Sequence, residues 1–180
     1  MDMTQITPVA YAKTGNTRPE QLGGETGYPD SGNTLVAGQF VVLTSGALVA
    51  VASAGVLSCG QVLDDSKATT AIDPPYAMFG DRHYPLALPG QRFAVNITDA
   101  AGNFGQANGA PQLSEATIGT AYGILKLGDG THCLNVDNTT NDFFVVVEKP
   151  SIWNGIEQDG DTYNGVVIVE VIPAAIQSVG

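Results

Sequence analysis

The chain has 180 residues, with 7 Lys and Arg against 18 Asp and Glu and a formal net charge of −11. That charge repels nucleic-acid phosphates and anionic lipid headgroups, which sets DNA, RNA and membrane surfaces aside as partners. With 22 Gly, 10 Pro, 43% hydrophobic and only 14% charged residues, the composition is that of a turn-dense β fold and leaves helix as the minority state.

Residues 1–32 read as an extended N-terminal arm, because Pro8, Pro19 and Pro29 and a series of glycines punctuate a polar stretch with almost no apolar alternation. The start lacks the basic and apolar regions of a secretory signal, and no apolar run reaches the ~18 residues of a membrane span. The expectation is a protein made in a reducing cytoplasm or released from it by lysis. Within the arm, Ile6, Val9, Tyr11, Leu22 and Tyr28 are apolar anchors that a purely solvating tail does not need. Such a segment gives up its chain entropy on docking and covers a large surface in return.

Residues 33–180 read as the β-rich body. Three short aliphatic runs, 39–43, 47–51 and 56–63, are separated by Ser45-Gly46 and by Ser53-Ala54-Gly55, the pattern of a strand-turn-strand-turn-strand meander. Pro74 and Pro75 then enforce an extended turn, and 80–90 is a loop or edge strand, since Pro85 and Pro89 each remove a ladder donor. The alternation of Phe93, Val95 and Ile97 with Arg92, Asn96 and Thr98 predicts a half-buried strand over 92–98. The Gly- and Ala-rich stretch 99–112 is expected to be an exposed, mobile loop, and Leu113 to Ala116 a single helical turn.

Further strands are predicted over 117–127, 131–136, 143–148 and 166–172, with a turn at 128–130 and a turn-rich loop from Pro150 to Asn164. The second half, 113–180, loosely repeats the layout of 33–98, which leaves open a weakly related pair of halves. The fold class is thus all-β, an antiparallel small barrel or sandwich with an extended N-terminal arm.

Chemistry has few candidates. The chain has two histidines, His83 and His132, and no nucleophile elbow, phosphate loop or zinc-protease motif, so no enzyme activity is expected. Cys59 and Cys133 with the two histidines are the right types for zinc, but adjacent strand residues such as His132 and Cys133 point to opposite faces. The two cysteines are read as buried free thiols, with a disulfide as the alternative. The oxygen-rich loops 137–142 and 159–164 resemble calcium loops in composition but lack the EF-hand glycine and glutamate positions, and turn carboxylates are the default. No metal and no cofactor is expected. Trp153 either stacks on a sugar ring or buries.

The arm, followed by the run from Gly32 to Leu43, a hairpin, and the run from Gly55 to Leu63, resembles the head decoration or cement proteins of tailed bacteriophages. The resemblance implies a small barrel or sandwich, β-tulip-like or jelly-roll-like. It implies a structural virion protein, assembled in the host cytoplasm, that sits on the capsid exterior, often as a homotrimer, and clamps neighbouring major capsid subunits. On that reading Ile6, Val9, Tyr11, Leu22 and Tyr28 would bind the capsid, with Arg18 as a charge partner. The alternative is a carbohydrate- or receptor-binding β-sandwich built around Trp153 and the loops of 137–164.

Overall fold

The computed structural model describes residues 7–8, 24–27, 35, 38–44, 47–53, 55–58, 60–61, 82–85 and 90–177. Its strands are β1 Thr7–Pro8, β2 Gly24–Gly27, β3 Phe40–Thr44, β4 Ala47–Ala50, β5 Gly60–Gln61, β6 Arg82–Pro85, β7 Arg92–Thr98, β8 Ala121–Lys126, β9 His132–Asn135, β10 Phe144–Glu148, β11 Ile152–Trp153, β12 Ile156–Glu157 and β13 Val166–Val171. Among the described residues helix is confined to short 3-10 turns at Gln106–Asn108, Leu113–Glu115 and Pro173–Ala175. The described part of the chain is all-β, and none of those turns is long and apolar enough to cross a membrane.

The main sheet runs β1-β7-β13-β10-β8-β9, and β7 also pairs β9. That second pairing, Ile97 with Leu134 and Thr98 with Asn135, is parallel, whereas the other ladders of the ring are antiparallel. It bends the sheet into a barrel-like ring of β7, β13, β10, β8 and β9. Closure of this kind leaves no long free edge in the ring. One edge of β7 is shared: β9 takes its C-terminal end, while β1 pairs Thr7 with Ala94 and Pro8 with Phe93.

Of the expected meander only the β3–β4 hairpin forms as predicted: the order is β4-β3-β5, so the third run crosses to the far side of β3 and does not pair β4, and it is shorter than expected. Only Gly60–Gln61 is strand, whereas Val56 and Leu57 stand exposed in the connection. The meander is not a separate unit. Phe40 of β3 enters the barrel and meets Phe93, Phe143 and Phe144 in edge-on contacts with centroids 5.0, 5.8 and 5.0 Å away. All these rings are fully buried, as are Ile97, Ile124, Leu134, Val146, Val167 and Val169 of the same core. Edge-to-face aromatic pairs at these spacings add about 0.5–1.5 kcal/mol each beyond burial.

Polar stitches fix the docked meander. Ser58 N–H donates to the Ala175 carbonyl at 2.8 Å, and Gln177 N–H to the Ser58 carbonyl at 2.7 Å. The Gln177 side chain accepts from Leu43 N–H at 2.7 Å and donates to the Leu43 carbonyl at 2.9 Å. Ser53 Oγ makes the same kind of two-way exchange with the backbone of Lys126.

Two pieces of the predicted arm carry regular backbone. Besides β1 on β7, β2 pairs β6 from Gly24 with Pro85 to Gly27 with Arg82, which makes 82–85 an edge strand with a partner. The proposed anchors Ile6, Val9, Tyr11, Arg18, Leu22 and Tyr28 lie outside the described residues, as does Cys59.

Candidate interaction surface

The connection between β10 and β13 was expected to be an irregular loop, but it contains a hairpin. Ile152 pairs Glu157 and Trp153 pairs Ile156, with Asn154 and Gly155 at φ 49° and 78° in the turn. Two successive positive φ values are what a type I′ turn requires, and Asn-Gly is the pair that adopts them at least cost. That dipeptide was the legible signal for the hairpin.

Its orientation comes from both ends. Trp153 is half-buried against the outer barrel wall, where Ala94, Val166, Ile168 and Val147 form a small apolar cluster. Gln158 straps the base: its Nε2 donates to the carbonyls of Pro150 (2.9 Å) and Val166 (3.3 Å), and its Oε1 accepts from Val166 N–H at 2.6 Å. With Trp153 turned inward, the hairpin leaves Ile152 at 59% and Ile156 at 48% exposure. A shallow groove beside it is lined by Ser151, Ile152, Glu157, Gln158, Asp159 and Thr162.

The stretch 99–112 is exposed in part but bound down by hydrogen bonds. Asn164, fully buried with φ 50°, donates through Nδ2 to the carbonyls of Ile97 (3.0 Å) and Asn103 (2.9 Å) and accepts at Oδ1 from Gly105 N–H (2.7 Å). Asp99 accepts from the N–H groups of Ala101 and Asn103 and from Asn103 Nδ2. Burial alone would raise the Asp99 carboxyl, but these bonds outweigh it and hold it below the ordinary carboxylate value.

The residues weighed for chemistry have structural partners. Phe40 N–H donates to His132 Nδ1 at 3.0 Å, so Nε2 carries the ring proton and donates to the Val51 carbonyl at 2.7 Å. Both ring nitrogens thus tie the meander to β9, and neither is free for a metal. Burial pulls the His132 pKa down to about 4, against the Val51 hydrogen bond and with help from the Lys126 charge. Cys133 is a buried free thiol, pushed up to about 12 by burial and by the charge of Asp129. In the calcium-like loops, Asp159 Oδ1 accepts from Asp161 N–H and Thr162 Oγ1, while Asn138 Oδ1 accepts from Thr140 and Asn141 N–H, the behaviour of turn-capping side chains. No cluster of metal-ligating side chains occurs among the described residues.

No protein-family model matches the chain, and no curated protein matches it.

Proposed function

We propose that the protein is a structural component of a tailed-bacteriophage head, binding the outer surface of the capsid and clamping neighbouring major capsid subunits. The observation that carries this reading is the filled barrel. Phe40, Phe93, Phe143 and Phe144 occupy the space where a small barrel of another kind would hold a ligand, so what the molecule offers a partner is its outer surface. His132 and Cys133, which could have served chemistry, are committed to packing and backbone pairing. An acidic body with a packed core and hydrogen-bonded loops suits a part that adds shallow contacts, multiplied by the symmetry of a shell. On this reading the fold is a β-tulip-like or jelly-roll-like relative of decoration proteins and the working form is a trimer. Segments of 1–32 beyond β1 and β2, including Ile6, Val9, Tyr11, Arg18, Leu22 and Tyr28, add contacts to the major capsid protein.

The half-buried packing of Trp153 on Ala94, Val166 and Ile168 favours this reading over a sugar-stacking module. The test is to mix the purified protein with expanded capsids and with unexpanded procapsids of the phage that encodes it, and to image both by electron microscopy. Added density on the capsid exterior is expected. Absence of density on either particle would remove the proposal.

A further inference from the structure

We propose that the β11–β12 hairpin is the docking element of this surface, and that it inserts into an apolar recess rimmed by Lys and Arg on the partner. The inference rests on the cementing role above and names the contact that performs it.

Three features of the hairpin converge. First, among the described residues Ile152 and Ile156 belong to the few large apolar side chains left exposed, at 59% and 48%. They lie on the two paired strands of one projection, Ile152 on the face of Glu157 and Ile156 on the face of Trp153, so that each face of the hairpin carries one, whereas Val56, Leu57 and Ile118 sit in connections elsewhere in the chain. Second, the projection is rigid before any partner arrives. The I′ turn at Asn154-Gly155, the Gln158 strap and the inward Trp153 hold it, so little conformational freedom remains to be lost on binding. Apolar anchors on a preorganised support are the usual centre of a protein interface.

Third, the charge beside the two isoleucines is mainly acidic. Glu157, Asp159 and Asp161 lie on the hairpin and the loop that follows it, against the cation Lys149 next to Pro150, whose Nζ donates to the Leu113 carbonyl. Glu157 lies directly across from Ile152, and Asp159 lines the same groove. A second copy of this chain would press one acidic rim against another, which is strongly disfavoured. A cationic rim around an apolar recess is the complement, and it makes association fast and sensitive to salt.

The experiment measures binding of the full chain to expanded capsids of the encoding phage at two salt concentrations. It compares wild type with Ile152→Ser/Ile156→Ser, with Glu157→Lys/Asp161→Lys, and with Ile118→Ser as a control of similar exposure. The emission of Trp153, the sole tryptophan, reports whether the hairpin keeps its packing in each variant. Expected are about a tenfold or greater loss of affinity for the isoleucine variant, slower association with a flattened salt dependence for the charge variant, and no change for the control. Wild-type binding that both hairpin variants retain, or that Ile118→Ser loses equally, overturns the hairpin while leaving the cementing role. Failure of the wild type to bind overturns both.

Discussion

Acidification should loosen this protein well above the range where carboxylates protonate, because His132 is buried as a neutral ring. In the folded state its pKa is about 4, against an ordinary value of 6.5. Between those values the unfolded chain binds a proton that the native state does not, so native stability falls as pH drops through 6.5 and levels off below about 4. The full gap corresponds to about 3 kcal/mol, of which about 2 kcal/mol is lost by pH 5. That is a large share of the 5–15 kcal/mol typical of a domain. The geometry supplies the cause: a protonated Nδ1 would face the Phe40 N–H that it now accepts from, on a fully buried ring. Asp99 works in a separate window, since its lowered pKa costs stability only as pH falls below the ordinary carboxylate range. Urea unfolding followed by far-UV circular dichroism at pH 7, 6, 5 and 4.5 measures the slope. His132→Asn, which keeps an acceptor for Phe40, and His132→Gln, which keeps a donor for Val51, should start less stable but lose most of the slope. A wild-type stability that is flat from pH 7 to 4.5, or variants that keep its full slope, would refute the assignment.

Phe40→Ala removes the ring shared by Phe93, Phe143 and Phe144 and should cost about 3–5 kcal/mol in unfolding free energy, detected as a lower midpoint in the same titration. Phe40→Leu should cost markedly less. Cys133 should resist thiol reagents in the native protein and react at the normal rate in urea, since burial and the raised pKa suppress the thiolate; rapid native labelling at Cys133, located by peptide mapping, would contradict its placement.

The parts of the fold legible in the sequence are those set by neighbours along the chain. The span of β7, Arg92–Thr98, follows from its alternation, and the β8–β9 turn follows from Gly128-Asp129-Gly130. The alternation nevertheless suggested one dry face, whereas Phe93 through Thr98 are all buried. The second face is covered by residues far along the chain, including Trp153 and Asn164, which β7 itself cannot announce. The expected third run of the meander failed in a similar way. Val56 and Leu57 have strand-like side chains, but the chain there is held by Ser58 against Ala175 and Gln177 and leaves those two outside.

The closing pair β7–β9 and the meander's docking through His132 rest on contacts between distant positions, which no local pattern encodes. His132 was judged as a ligand or base because those are the roles a histidine declares by type. Its role here depends on two backbone groups some 81 and 92 positions away. The hairpin is different: Asn154-Gly155, flanked by Ile-Trp and Ile-Glu, is a local turn signal, but with only two paired residues on each side the stretch reads as a turn-rich loop.

The staple between Leu43 and Gln177 spans 134 positions. At the usual 5–20 residues per second of translation, roughly 7–27 s separate the emergence of β3 from that of its last fastener. For most of that interval Phe40 has left the ribosome without Phe143 and Phe144, the rings that will receive it. A nascent chain is therefore expected to bind a holding chaperone during that wait, and one cut short before Gln177 should be cleared by proteases instead of accumulating.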